Sequence, residues 1–138
     1  DPRDQEDVSR IVESLGLSER VLNVGYVPES DLVDLYQAAD AYIDPSLYEG
    51  FGLQVLEAMA CGVPVVCSNT TSLPEIVGDA AITCDPKDVT SFSAGIEEVL
   101  NNSEQSEGMV VAGLRQASRF SWQHTARELV RLCERGTS

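Results

Sequence analysis

The sequence predicts an α/β fold in which a Rossmann-like, doubly wound parallel sheet is followed by C-terminal helices. Apolar segments of strand length alternate with amphipathic helical segments before a helical tail. Val63–Cys67 (VPVVC) is continuously apolar, as in strands that are buried on both faces of a parallel sheet. Ligands of such sheets bind at the carboxyl ends of the strands. We therefore expect binding loops along one edge, at Gly25–Pro28, Asp44–Gly52 and Ser68–Leu73.

Hydrophobic spacing places the elements of the first half of the chain. A helix is predicted over Gln5–Leu15, with Gly16 as its stop. Ser30 is the predicted N-cap of a second helix that ends near Ala39. The buried stripe of this helix is predicted to be Leu32, Leu35, Tyr36 and Ala39. The four predicted strands are Val21–Val24, Ala41–Ile43, Val63–Cys67 and Ala80–Cys84.

The second half is predicted to be mostly helical. A helix over Leu53–Cys61 closes at Gly62, and a short helical turn follows at Leu73–Val77. Asp88 is the predicted cap of a helix that Asn101-Asn102 ends, with a core face of Val89, Phe92, Ile96 and Val99. The tail is predicted to form helices over Ser106–Arg119 and Trp122–Arg135, with Ser121 as cap, Leu129 and Leu132 inward and Trp122 as a hydrophobic anchor.

Length and composition indicate one globular domain over residues 1–138. The hydrophobic fraction is 43%, charged residues are interleaved, and no apolar run has the length of a membrane span. Nothing resembles a signal peptide. The opening residues, DPRDQED, resemble the middle of a domain, so we expect the chain to begin inside a larger protein.

The chain is strongly acidic, with a formal net charge of −14. A nucleic-acid partner is disfavoured, because such binding needs a basic face. Lys87 is the single lysine. Two explanations of the acidity stay open: adaptation to a high-salt interior, or an ordinary solvated surface.

The cysteines and the histidine do not predict a metal site. Cys61, Cys67, Cys84 and Cys133 lack metal-like spacing, and the first three lie in apolar surroundings, as expected of small buried hydrophobes. We expect no metal, no disulfide framework and a cytoplasmic location. The only histidine, His124, lies among polar residues and is predicted to be on the surface.

Asp44–Cys61 (DPSLYEGFGLQVLEAMAC) is the stretch most suggestive of function. A strand runs into a loop with Gly50 and Gly52, and the loop opens into a helix whose unpaired first-turn amides and dipole favour phosphate. Glu49 on the loop and Glu57 on the helix flank this turn. The alternative is an ordinary strand–turn–helix junction of an α/β fold.

Several motifs in order resemble the C-terminal domain of retaining GT-B glycosyltransferases, specifically glycosyltransferase family 4 (group 1). Glu49–Leu53 (EGFGL) and Glu57–Val66 (EAMACGVPVV) are similar to that family's E-x7-E motif and its continuation. The other matching segments are Val24–Pro28, residues 32–40, Leu73–Ala81, Asp85-Pro86 and Phe120–Trp122. The resemblance covers nearly the whole chain.

The resemblance implies a donor site for a nucleotide-diphosphate sugar, with no further cofactor. Glu49 would lie near the sugar hydroxyls at the transfer centre, and Glu57 would accept hydrogen bonds from the ribose. The backbone around Val27 would contact the base. The amides that would hold the sugar and diphosphate are those of Gly50, Phe51, Gly52 and Leu53. Glu75 matches a family motif too, and we expect a structural role for it.

The chain also departs from the family pattern. Gln54 stands where the family often has Pro or Thr. Family members carry a basic pair on an earlier βα unit, which neutralises the leaving diphosphate, and an N-terminal domain that binds a carbohydrate or lipid-linked acceptor. Neither matches any part of this sequence, so we expect this chain alone to bind a donor with a Kd weaker than about 1 mM. Peripheral association of the full protein with the inner face of the cell membrane is compatible with this picture.

Two competing functions remain open at this point. One is a truncated, non-catalytic module that binds a nucleotide sugar or a partner. The other is a different GT-B relative, such as a phosphorylase or an epimerase. A phosphorylase would need a lysine for its pyridoxal cofactor, and Lys87 lies in no matching motif.

Overall fold

The computed structural model describes residues 2–135, with side chains from residue 8 onward. The chain divides into two compact units, Asp1–Leu32 and Val33–Ser138. The elements are α1 (Pro2–Ser14), α2 (Glu29–Gln37), β1 (Tyr42–Asp44), α3 (Leu53–Ala60), β2 (Val65–Ser68), α4 (Leu73–Val77), β3 (Ile82–Cys84), α5 (Val89–Asn101), α6 (Ser103–Ala117) and α7 (Trp122–Arg135). No helix in this part of the chain is long and apolar enough to cross a membrane.

The first unit contains α1 and a segment without regular structure, so the prediction of a strand at Val21–Val24 is wrong. Local hydrogen bonds occupy its backbone instead. The amide of Val21 donates to the carbonyl of Leu17 at 3.0 Å, and the amide of Gly25 donates to the side chain of Asn23 at 3.1 Å. A short apolar segment forms a strand only where a neighbouring strand takes up its ladder bonds.

Helix α2 begins at Glu29, so the prediction of Ser30 as its N-cap is wrong. The Ser30 hydroxyl donates to the carboxylate of its neighbour Asp31 at 2.8 Å and caps no amide. Fewer residues of α2 are buried than its predicted stripe implies. Tyr36 is buried, whereas Leu35 and Ala39 are exposed. Tyr36 packs edge-on against Tyr42, with ring centroids 5.7 Å apart.

The second unit is built on a three-stranded parallel sheet in the order β1-β2-β3, which confirms the predicted Rossmann-like α/β class with one strand fewer. Ile43 pairs with Val66, and Val66 pairs with Ile82. Every residue of the central strand β2 is buried, as its continuous apolar sequence predicts. The carboxyl ends of the three strands therefore lie along one edge.

Helices cover both faces of this sheet. A methyl group at Gly95 of α5 would lie 3.0 Å from Ile82 Cγ2 and 3.2 Å from Val66 Cγ1, so α5 approaches that face closely. Tyr42 alternates with Ile43 along β1 and points to the other face, where Tyr36 of α2 packs against it. The core cluster on the α5 side comprises Val66, Cys84, Phe92, Val99 and Met109.

The helical tail follows the predicted caps. The Asp88 carboxylate accepts the amides of Thr90 and Ser91 at 2.9 and 3.2 Å. Asn102 ends α5 as predicted, and its side chain also caps α6, which therefore starts at Ser103 and not at Ser106. Ser121 caps α7 by accepting the amide of His124 at 3.1 Å.

Several apolar side chains that we predicted to be inward are exposed. Leu129 and Leu132 of α7 are 62% and 64% exposed, and Trp122 is 76% exposed, so it anchors nothing within the described residues. Val89 is exposed because the core contacts of α5 begin one turn later, at Phe92. These exposed apolar residues have the spacing of an amphipathic helix. Such spacing does not reveal whether a neighbouring element covers the apolar face of the helix.

The four cysteines are free thiols. Cys67 and Cys84 are buried as predicted, Cys61 is partly buried and Cys133 is exposed. Burial and the neighbouring Asp44 raise the pKa of the Cys67 thiol to about 12. Cys67 is therefore an inert core residue at neutral pH.

Candidate functional site

The candidate site lies at the carboxyl end of β1, where the loop 45–52 leads into α3. Asp44, the last residue of β1, is buried, and its carboxylate accepts the amide of Ser46 at 3.0 Å. This bond turns the chain away from the sheet. Asp44 pairs with Cys67, the next-to-last residue of β2, so the loops that follow β1 and β2 start side by side.

Gly52 sets the direction of α3. Its φ of 97° and ψ of 46° are in the left-handed region, which favours glycine. A methyl group there would lie 2.6 Å from Cδ2 of Leu73, and Leu73 is fully buried and has little room to move. Only glycine fits both the backbone and the packing at this position.

The N-terminus of α3 is open. No side chain caps it, so the amides of its first turn have no side-chain acceptor. The helix dipole places roughly half a positive charge at this end. Such an end can hold a phosphate or another anion.

Glu49 is held at three points. Its carboxylate Oε1 accepts a hydrogen bond from the hydroxyl of Ser46 at 3.0 Å. Its amide donates to Thr71 Oγ1 at 3.1 Å, and its carbonyl accepts from the hydroxyl of Ser72 at 3.0 Å. Both its side chain and its peptide group are therefore fixed before any ligand arrives.

Glu57 lies on α3, is exposed, and is oriented by one phenol. Its Oε2 accepts a hydrogen bond from the hydroxyl of Tyr36 at 3.1 Å. Burial, reinforced by the Glu57 charge, raises the pKa of Tyr36 above its usual range. Tyr36 therefore stays protonated as a donor, and the second oxygen of Glu57 is left to accept from a ligand.

Tyr42 lies beside this pair on the sheet. Burial, and next the negative charge of Asp44, raise the pKa of Tyr42 to about 12. The charges of Glu49 and Glu57 act in the same direction. Tyr42 is therefore a neutral phenol at neutral pH, and it feels the negative charges of three carboxylates.

The remaining predicted site residues lie as follows. Gly50 and Leu53 are exposed, and Phe51 packs edge-on against Phe120 with ring centroids 6.0 Å apart. The structure thus brings Glu49, the segment from Gly50 to Leu53, and Glu57 together around one helix start. Val27 belongs to the other compact unit, in the segment without regular structure.

Four side chains at the site were not predicted from the sequence: Ser46, Thr71, Ser72 and Tyr36. The hydroxyl-rich run Ser68–Ser72 was predicted to be a loop at the edge of the sheet where the site lies. This prediction was the sequence signal that pointed to Thr71 and Ser72. The bonds of this run to Glu49 join residues that are far apart in sequence, so no local pattern predicts them. Among the residues whose side chains are described, no group of three or more His, Cys, Asp and Glu could hold a metal ion.

Comparison with known proteins identifies the family. A family model described as glycosyl transferases group 1 matches residues 1–116 of the chain. The chain belongs to this family. The match spans both carboxylates of the site and the hydroxyl-rich run after β2.

The names of individual relatives agree with this assignment. The O-antigen chain mannosyltransferase B of Escherichia coli is 52% identical over 107 residues, which are 78% of this chain and 28% of that protein. The D-inositol 3-phosphate glycosyltransferase of Corynebacterium urealyticum is 35% identical over 127 residues, covering 91% of this chain and 30% of that protein. The chain thus spans less than a third of these curated relatives.

The fold agrees with solved structures as well. Sucrose-phosphate synthase from Thermosynechococcus elongatus superimposes with a TM-score of 0.88 at 27% identity. The match covers 96% of this chain and 34% of that protein. The fold of this chain is therefore also found in part of that solved structure.

Proposed function

We propose that this chain forms the donor-binding side of a glycosyltransferase that transfers a sugar from a nucleotide diphosphate to an acceptor, with retention of anomeric configuration. The observation that carries the proposal is the pair of carboxylates, Glu49 and Glu57, on either side of the uncapped start of α3. Membership of the group 1 family supports it. The finer assignment to family 4 belongs to the same proposal.

Each group has a role that its environment suits. The amides of residues 50–53 would hold the sugar and diphosphate, since amides at a helix start attract negative charge and stabilise it as the phosphate departs. Glu49 would position the sugar as the catalytic residue at the transfer centre. Glu57 would accept from the ribose diol with its free oxygen, and the backbone at Val27 would contact the base. No metal or other cofactor is assigned.

The E. coli relative suggests which donor to test first. Its name states that it is a mannosyltransferase, so a nucleotide-linked mannose is the first donor to test. The acceptor, a carbohydrate or a lipid-linked sugar, would be bound by a part of the protein outside this chain. We propose a cytoplasmic location, where nucleotide sugars are available.

The test uses the natural protein that carries this chain, with a panel of UDP-, GDP- and ADP-sugars scored for transfer. Glu49→Ala is expected to lower kcat about 100-fold, because the sugar loses its positioning group. Glu57→Ala is expected to raise KM for the donor mainly. Glu97→Ala, an exposed residue of α5, is the matched control and should leave both constants unchanged.

Three outcomes would contradict the proposal. Unchanged turnover in both Glu49→Ala and Glu57→Ala would show that these residues do not belong to the site. Donor binding without transfer of any sugar would favour the non-catalytic binding module. A product whose anomeric configuration is inverted, as measured by NMR, would refute the proposed retention but not the proposed sugar transfer.

A further inference from the structure

The segment after β2 holds the backbone of Glu49 from both sides. The hydroxyl of Thr71 accepts the Glu49 amide at 3.1 Å, and the hydroxyl of Ser72 donates to the Glu49 carbonyl at 3.0 Å. Two consecutive residues therefore fix both peptide groups that flank one Cα. With Ser46 on the carboxylate, rotation of Glu49 is restricted about its backbone and its side chain alike.

The Ser72 hydroxyl bonds to the Glu49 carbonyl and not to an amide of its own helix. It occupies the N-cap position of α4, where a serine side chain ordinarily accepts an amide of the first turn. No such capping bond is present in α4. The hydroxyl that could stabilise its own helix is directed to Glu49.

Thr71 is held in a conformation that a threonine rarely adopts. Its φ is 54°, and it is the one non-glycine residue with positive φ in the part of the chain that the structure describes. Backbone strain of this kind persists only where surrounding contacts fix it, and it is frequent at functional sites. The segment is anchored where it leaves β2, because the Ser68 hydroxyl donates to the Asp44 carbonyl at 3.3 Å and the Asn69 amide donates to the Cys84 carbonyl at 2.8 Å.

We infer that Thr71 and Ser72 are positioning residues for Glu49 in sugar transfer. Their hydroxyls hold the Glu49 peptide so that the carboxylate meets the reacting sugar without first having to be ordered. This inference rests on the proposed function. It predicts that loss of either hydroxyl affects the transfer step more than donor binding. Glu57, the backbone at Val27 and the amides of residues 51–53, which are proposed to bind the donor, lie outside the two peptide groups that these hydroxyls hold.

The test compares steady-state kinetics of Thr71→Val and Ser72→Ala in the natural protein that carries this chain. Each substitution removes one hydroxyl, and valine keeps the branched shape of threonine. We expect kcat to fall about tenfold or more, with KM for the donor changed less than about twofold, since small misplacements of a reacting group cost this much. Thr71→Ser keeps the hydroxyl and should retain most of the activity.

Thr90→Val and Ser93→Ala are matched controls, because both side chains are exposed and belong to α5. Unchanged kcat in both Thr71→Val and Ser72→Ala would overturn the inference, as would a Thr71→Ser enzyme as slow as Thr71→Val. If Thr71→Val does not fold, Ser72→Ala and Thr71→Ser decide alone, with folding checked by circular dichroism. A wild-type protein that transfers no sugar would overturn the proposed function itself, whereas an active wild type with unaffected variants would overturn only this inference.

Discussion

At the scale of single residues, the two carboxylates of the site differ in how they are held. Glu49 has hydrogen bonds to its amide, its carbonyl and one carboxylate oxygen. Glu57 has one, from Tyr36, and is otherwise exposed. A fixed group suits the positioning of a reacting centre, and a carboxylate with one free oxygen suits a diol that arrives with the ligand.

The bond between Tyr36 and Glu57 gives a residue-scale prediction. Tyr36→Phe removes the donor and keeps the ring that packs on Tyr42. We expect donor binding to weaken about fivefold, roughly 1 kcal/mol, because Glu57 loses the bond that orients it. Calorimetric titration of the natural protein with the preferred nucleotide measures the change, and kcat should be little affected.

Tyr42→Phe is the control for that experiment. It removes a neighbouring phenol hydroxyl without touching the bond to Glu57, so donor affinity should stay within about twofold of wild type. An equal loss in both variants would mean that general packing, and not the orientation of Glu57, determines the affinity.

At the scale of elements, glycines set how closely helices approach their neighbours. Gly95 of α5 lies against Ile82, Val66 and Cys84, which belong to the sheet. Gly108 of α6 has no heavy atom within 4 Å of its missing methyl group. Glycine therefore permits close packing at position 95 and has no packing role at position 108.

The two glycines form a matched pair for a stability measurement. Gly108→Ala should stabilise the protein by about 0.5–1 kcal/mol, because alanine has the better helix propensity and nothing obstructs the methyl group. Gly95→Ala gains the same propensity, but overpacking against the sheet should make it destabilising by about 1–2 kcal/mol. Urea unfolding gives both values, and equal effects of the two substitutions would contradict the close approach of α5.

At the scale of the whole molecule, charge is the dominant feature. The net charge is −14, from 23 acidic and 9 basic residues. An excess of one sign destabilises a compact state through self-repulsion, and salt screens it. Ion pairs offset this only locally, as where Arg131 meets Glu128 at 2.6 Å on the exposed surface of α7.

The charge predicts a response to salt. Raising KCl from low to about 1 M shortens the Debye length to about 3 Å, so Tm should rise. If screening is worth about 1 kcal/mol, the rise should be roughly 4 °C. The slope should flatten near the sequence pI of about 4.2, where the net charge vanishes. A flat response at neutral pH would contradict the prediction and remove the idea of salt adaptation.

Local sequence patterns predicted most of the elements correctly. The start of α3 at Leu53, the bounds of α4 and α7, the cap at Asp88 and the buried central strand follow from spacing, turn residues and cap chemistry, which act within a few residues. The same patterns failed at Val21–Val24, because a strand exists only through pairing with a neighbour. They also failed for Leu129 and Leu132, because burial depends on what covers a helix face.

The sequence by itself determined the family, the order of the elements from α2 onward and the stretch in which Glu49 and Glu57 lie, because these depend on residue types at fixed spacing. Only the tertiary structure decided how these carboxylates are held. Tyr36 reaches Glu57, and Thr71 and Ser72 reach Glu49, across more than twenty positions of sequence in each case. The contacts to Glu49 form because parallel pairing of β1 and β2 places the loops that follow these two strands side by side.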